Sequence, residues 1–411
     1  MARIVVSGIG VIAPGATGIE AFRAMLAGGQ TAIGEIDRFD TAGLTAHKAA
    51  LVRGFNARDY IPPMKMRRMN ALSRFGVAAA RLAIDDLGIP VAELGQTGLA
   101  LGTAFGPVQT SVDYMREYVE KGAALAPPQL FAESVANAPG SHIAIEWGFR
   151  GFNVTMTERE SSFLAAAMAA SSQILKGTVR AAAIVGVEEV NEMLFSVLDR
   201  LGALAHASDA TDEACRPFDA RRNGLVIGEG SAMLIAESLQ SLERRLSSGV
   251  VPHVYGYLAG FGIARDTTAS TSDWGRDPDA LSAAMRAAIE DAELRPDEID
   301  AIYASANSTR RADAVEAMAI RKSFGDRIPP VVAVKGYFGE YAAAGALQVI
   351  AALLAIDEQM LHASCGFEKS DRAMSIDIVR ERRPAPLRNV LVNSLSAGGG
   401  IVCAVVSKEA A

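Results

Sequence analysis

Between Phe152 and Glu188 the chain reads strand, sharp turn, helix, strand, and the helix narrows the choice of fold most. From Ser161 to Leu175 it carries no charge and is apolar or small on every face, as in a helix buried on all sides. At fifteen residues it is too short to span a bilayer, which takes about 20 apolar residues. Gly177 is the expected helix stop. Strand, buried helix and strand in that order make a right-handed βαβ unit. Chemistry in such units collects at the carboxyl ends of the strands, beside the helix N-termini, and here Glu158, Arg159 and Glu160 occupy that place. Thr157 followed three residues later by Glu160 is also a capping-box pattern, so the spacing predicts a helix starting at Thr157, with Glu160 folded back as its cap.

A chain of 411 residues, half of them apolar, has room for one large core or two ordinary ones. A net charge of −7 argues against nucleic acid or a membrane surface as partner. Cys215, Cys365 and Cys403 show neither disulfide pairing nor metal-ligand spacing, which fits a reducing compartment. A cytoplasmic protein without metal or cofactor is expected.

Strands are predicted at Arg3–Ile12, Leu99–Gly106, Ser231–Glu237, His253–Gly260, Ile299–Ala304, Pro330–Val334, Val390–Leu395 and Ile401–Ser407. Helices are predicted at Gly18–Ala27, Phe75–Leu87, Leu239–Arg245, Asp279–Ala292, Ala312–Phe324 and Tyr341–Ile356. Residues 30–62 read as loop. The run Val331 to Ile356 repeats the run Val154 to Leu175 as strand, turn, glutamate and buried helix, the second glutamate being Glu340. An internal duplication of α/β units follows. Its two halves are 1–250 and 251–411, parted near Ser247-Ser248-Gly249. Lys65, Arg67, Arg68 and Arg74 alternate with Met64, Met66 and Met69, either as one solvated helix face or as a landing patch for an acidic partner.

These segments together resemble the β-ketoacyl-[acyl-carrier-protein] synthase II family. The resemblance rests on Val5-Val6-Ser7-Gly8-Ile9-Gly10, Lys65–Met69, Arg150-Gly151, Arg216-Pro217-Phe218-Asp219, Gly228-Glu229-Gly230 and Asn393-Ser394 with its glycine loop. It implies a thiolase-like α/β fold of two five-stranded halves layered αβαβα, and a dimer built on the first-half sheet edges. It also implies an acyl-accepting cysteine and two histidines, whose positions here hold Glu160, Ser305 and Glu340. Lys335, Asp313 and Glu316 match their family positions. The five histidines, His47, His142, His206, His253 and His362, fall elsewhere.

A carboxylate cannot hold an acyl chain as a thiolate does, because the mixed anhydride it forms is open to water. Without an imidazole, no group of near-neutral pKa remains to move protons. Cys215 lies in the loop before Arg216 and is no ready substitute. The resemblance therefore implies a non-condensing subunit of the chain-length-factor type. It would pair with an active ketosynthase in fatty acid or polyketide biosynthesis and shape the acyl tunnel through Phe105 and Val108. Ser396 and Ala397 would stand where active relatives carry a bulky gate. The basic segment Lys65, Arg67, Arg68 and Arg74 would meet the acyl carrier protein. Two alternatives stand beside it. One is an enzyme of new chemistry using Glu160 or Glu340 as acid or base, for example in malonyl decarboxylation. The other is an acyl-binding homodimeric scaffold. The two glutamates, approaching one another near Lys335, would share a proton or be bridged by the lysine.

Overall fold

The computed structural model describes residues 4–409 except 210, 248, 250–252 and 372. Of the expected break, Ser247-Ser248-Gly249 with the boundary between 250 and 251, residues 248, 250 and 251 lie outside the described residues, as does Arg3. Ten strands carry the fold: β1 (Ile4–Ala13), β2 (Thr97–Gly102), β3 (Asn153–Met156), β4 (Ala181–Glu188), β5 (Gly230–Ser238), β6 (Gly256–Arg265), β7 (Ala301–Tyr303), β8 (Val331–Val332), β9 (Asn389–Leu395) and β10 (Gly400–Ser407). The principal helices are α1 (Ala71–Leu87), α2 (Val108–Lys121), α3 (Ala138–Trp147), α4 (Ser162–Leu175), α5 (Pro278–Asp291), α6 (Arg310–Phe324) and α7 (Ala344–Glu358).

The strands lie side by side as β3-β2-β4-β5-β1 and then β6-β10-β9-β7-β8. Read from its own edge inward, each half has one order. Its second and third strands in sequence run parallel at the edge, its fourth pairs parallel with the second, and its fifth and first close the half antiparallel. The halves join where β1 meets β6, Ile4 opposite Leu258. The duplication predicted from sequence is thus present in the hydrogen-bond pattern.

The layers follow from where apolar side chains can go. β4 is buried at every residue, as expected of a strand covered on both faces. One apolar cluster joins α4 and α7 to each other and to the inward faces of the sheet in both halves, a second packs α1 on the outside of the first half, and a third packs α5 and α6 on the outside of the second. The layering is αβαβα. α4 and α7 are the inner helices, which is why neither sequence shows a polar stripe. The outer helices press on glycines in corresponding strands. A Cβ on Gly10 would stand 1.9 Å from the Ala79 carbonyl oxygen, and one on Gly262 2.0 Å from that of Ala284. Only glycine admits backbone that close.

Several bounds shift. The helix predicted at Tyr341 begins at Ala344, because Lys335–Phe338 forms a separate helical turn first. The basic segment is not one amphipathic helix: Lys65 lies in the single turn Pro63–Met66, Arg67 and Arg68 follow it, and Arg74 belongs to α1. The helices α3, Pro128–Glu133 and Glu192–Arg200 lacked a sequence prediction. Among the described residues no helix is long and apolar enough to cross a membrane.

Candidate functional site

The connection from β3 into α4 carries Glu160, and the matching connection from β8 into α7 carries Glu340. The two halves thereby deliver their glutamates to one place between the inner helices. Glu160 sits on a 3-10 turn, Arg159–Ser161, ahead of Ser162, the first α4 residue. The predicted capping box is absent. Helical structure starts past Thr157, Ser162 Oγ accepts the Glu158 backbone N–H at 2.9 Å, and the Glu160 carboxylate turns inward. Arg159 takes a left-handed φ of 53°, a conformation disfavoured for a side chain with a Cβ.

The Glu160 carboxylate is held by backbone N–H groups, its own and that of Ala397 at 3.0 Å to Oε2. Ser394 Oγ donates to the Glu160 carbonyl oxygen at 3.3 Å. Burial, with the Glu340 charge second, pushes the Glu160 carboxyl up to about 7. Glu340 Oε2 accepts from Lys335 Nζ at 2.6 Å and from Asn307 Nδ2 at 2.9 Å. Burial raises the Glu340 carboxyl too, against the opposing pull of Lys335. Glu340 Oε1 and the Tyr341 hydroxyl have no hydrogen-bond partner. Ser305 Oγ accepts from the Leu395 N–H at 2.9 Å and from Lys335 Nζ at 3.4 Å. Lys335 is 1% exposed and serves Glu340 and Ser305 together.

Behind these residues lie Asp313 and Glu316, both buried. Asp313 accepts the backbone N–H groups of Phe218 and Asn307 and is pushed by burial to about 6. Glu316 accepts from the Ser305 N–H and from Asn393 Nδ2 and is pushed by burial to about 7. They fix the loop after β7, and with it Ser305.

A small cavity of about 20 Å³ lies against Glu160, Glu188, Glu340, Tyr341 and Phe105, about the room that one water needs. On the other side of Glu160 a pocket of about 540 Å³ opens outward past Ala397, Arg159, Arg310 and Arg311. Glu160 borders both spaces, so its side chain stands between the outer pocket and the inner cavity.

Glu160, Ser305, Glu340 and Lys335, named from sequence, thus gather in one site. Phe105 borders the inner cavity, with the Arg159 guanidinium 5.3 Å from its ring centre. Val108 is half-buried at the head of α2. Ala397 supplies the amide that holds Glu160, and Ser396 Oγ donates to the Gly400 carbonyl oxygen at 3.0 Å. The basic segment lies apart: Lys65 is ion-paired with Glu146 at 2.7 Å and Arg74 reaches the Met66 carbonyl oxygen, while Arg67 and Arg68 are exposed. Asn307 and Tyr341 were missed as site residues, although Asn307 lies two residues beyond Ser305 and Tyr341 directly follows Glu340. Cys215 is buried, its thiol donating to the Asn307 carbonyl oxygen, and burial keeps it protonated. Among the described residues no cluster of three His, Cys, Asp or Glu is placed to hold a metal ion.

Residues 1–241 match the model of the "Beta-ketoacyl synthase, N-terminal domain" and residues 255–368 that of the "Beta-ketoacyl synthase, C-terminal domain". The chain is 31% identical to the tetracenomycin polyketide synthase ketoacyl synthase beta subunit of Streptomyces glaucescens, covering 97% of this chain and 96% of that one. It is 26% identical to 3-oxoacyl-[acyl-carrier-protein] synthase 2 of Vibrio cholerae, covering 97% of each. Among solved structures it resembles the ishigamide ketosynthase/chain length factor, with a TM-score of 0.90 and 29% identity over 99% of both chains. A β-ketoacyl synthase from Burkholderia phymatum matches with a TM-score of 0.89 and 26% identity over 100% of both.

Proposed function

The chain belongs to the β-ketoacyl synthase family, and we propose that within it this protein is a non-condensing subunit of the chain-length-factor type. It pairs with an active ketosynthase in fatty acid or polyketide biosynthesis, and its surface beside Phe105 and Val108 shapes the space into which the acyl chain grows. The observation that carries this reading is the seat of Glu160. Its carboxylate fills the pair of backbone N–H groups at the head of the buried helix, the kind of donor pair that would otherwise polarise a thioester carbonyl. Among the described residues, neither space that Glu160 borders is lined by a thiol or an imidazole. The likeness to a ketosynthase beta subunit and to a ketosynthase/chain length factor supports the same reading.

Co-expression with the ketosynthase encoded nearest to it tests the proposal. The two are expected to purify together, and Phe105→Ala and Val108→Phe are expected to change product length. Separate elution, with product length indifferent to both variants, refutes it. Arg67 and Arg68, the exposed cations of the basic segment, are the candidates for carrier contact; Arg68→Glu weakens carrier binding if this subunit docks a carrier itself.

One observation favours a second reading. Glu160 titrates near 7, where a general acid or base works best, and this suits decarboxylation of a malonyl group on a carrier or coenzyme A. Against it, Glu160 is bound to the amides and the Oε2 of Glu340 to Lys335 and Asn307. Equal malonyl-carrier turnover by the wild type, Glu160→Ala and Glu340→Ala removes this reading.

A further inference from the structure

α2 is fourteen residues long and none of them is buried. Its face carries Met115, Tyr118 and Val119, all exposed, and the segment after it adds Leu125 and Phe131. The two are tied together: the Tyr114 and Phe131 ring centres are 5.6 Å apart, and Ser111 Oγ donates to the Ser134 carbonyl oxygen. A continuous apolar surface of this kind is what a protein partner covers. In the same half β3 forms the free edge of the sheet, a template for further pairing.

At the head of α2 is a pocket of about 310 Å³ bordered by Gln109, Glu189, Asn191, Glu192, Glu229 and Arg38. The charges in it do not balance. Arg38 is taken up by both oxygens of Glu229. Glu189 is 5% exposed, and its one hydrogen bond is from the Gln109 N–H to Oε1 at 2.9 Å. Glu192 is exposed beside it. Asn191, 6% exposed, has its Nδ2 buried without a partner. A buried carboxylate with no cation, next to an unmet amide, is costly unless a ligand completes both.

We infer that this pocket receives a lysine or arginine side chain of the partner subunit, which anchors the partner over the apolar face of α2. The cation meets Glu189 and Glu192, and the partner's main chain offers a carbonyl to Asn191. The inference rests on the heteromeric reading above and names the chemistry of the partner's contact. The charged groups around Glu189 are Glu229, Asp113, Glu192 and Arg38. In the free subunit, burial pushes its carboxyl up to about 7, with Glu229 and Asp113 adding to the rise. Bringing a cation to it favours the ionised form, so the complex should tighten as pH rises through that region.

The test uses the full chain and its co-expressed ketosynthase, with dissociation constants measured at pH 6 and pH 8. Glu189→Gln keeps the acceptor for the Gln109 N–H and removes the charge. It is expected to weaken the complex about tenfold or more and to flatten the pH dependence. Glu192→Lys, an exposed change that spares the fold, should weaken it as well. A wild-type complex whose affinity and pH profile ignore both variants overturns the inference and leaves the functional reading standing. Absence of any complex in the wild type overturns both. A self-dimer of this chain weakened by Glu189→Gln shows the occupant to be a second copy and overturns the assignment to the ketosynthase.

Discussion

Replacing Lys335 by methionine removes the buried cation held by Glu340 and keeps most of its volume. Glu340 is then left in the interior with Asn307 as its remaining donor. Either it stays ionised and unpaired, which typically costs about 3–5 kcal/mol, or it takes up a proton. The second route has a definite pH dependence. Relative to an ordinary carboxyl titrating at 4.5, each pH unit above that value costs about 1.4 kcal/mol, giving about 3.4 kcal/mol at pH 7 and about 1.4 kcal/mol at pH 5.5. The folded-state pKa is raised, so the stability is present below the unfolded value and lost as pH rises. Urea unfolding followed by circular dichroism, at one protein concentration and at both pH values, measures this. Because the wild-type Glu340 carboxyl is itself raised, Lys335→Met is expected to lose more at pH 7 than at pH 5.5 relative to wild type, by at most about 2 kcal/mol. The double variant Lys335→Met with Glu340→Gln removes both charges and keeps the Asn307 contact, so it should recover most of the loss at pH 7. A pH-independent penalty, or a double variant no better than the single one, refutes the reasoning.

Glu188, buried and held by the Ala104 and Phe105 N–H groups, has its carboxyl pushed by burial to about 8; Glu188→Gln should therefore make the fall in stability between pH 5 and pH 8 shallower by about 1.4 kcal/mol per pH unit, and urea midpoints parallel to wild type would refute it. A Cβ on Gly102 would meet the Ser162 backbone at 2.5 Å, so Gly102→Ala should destabilise by about 1–3 kcal/mol through forced backbone shifts and move the turn bearing Glu160; an unchanged unfolding midpoint refutes it. Glu160→Gln keeps an acceptor for the Ala397 N–H but cannot ionise, so the fall in stability as pH rises toward 7 should lessen, and an unchanged pH profile of thermal unfolding counts against the raised Glu160 carboxyl.

The fold was legible because its most constraining elements are buried on every side. α4 and α7 show as charge-free runs, and β4 and β10 as unbroken apolar strands, since each is covered by two layers. The extent of α2 was hard to read for the opposite reason: no α2 residue is buried among the described residues, so its apolar residues Met115, Tyr118 and Val119 follow a face that the packing around it leaves open. The site was legible by position, because the duplicated connections place Glu160 and Glu340 alike. What local sequence misassigned was the direction of Glu160. A threonine with glutamate three residues on satisfies the capping pattern, yet the Ala397 N–H, more than two hundred residues away in sequence, offers the carboxylate a buried donor that no local pattern contains. Asn307 escaped for a similar reason, its role being fixed by a glutamate from another loop.

The buried carboxyls also share a constraint none of them shows singly. Glu160, Glu340, Glu316 and Asp313 gather around the same loops, and Lys335 is paired directly with Glu340, while Arg222 approaches Asp313 at 3.8 Å. Glu316 Oε2 has no hydrogen-bond partner, and both it and Glu160 are pushed to about 7. Near neutral pH the interior can therefore keep its charge low by leaving a proton on one of these acids, and Lys335 decides which acid must carry it. A catalytic acid–base pair works by changing protonation each turn. Here the lysine clamps Glu340 and two amides clamp Glu160, so moving a proton means breaking a buried contact each time. That cost suits residues that close a site better than residues that turn one over.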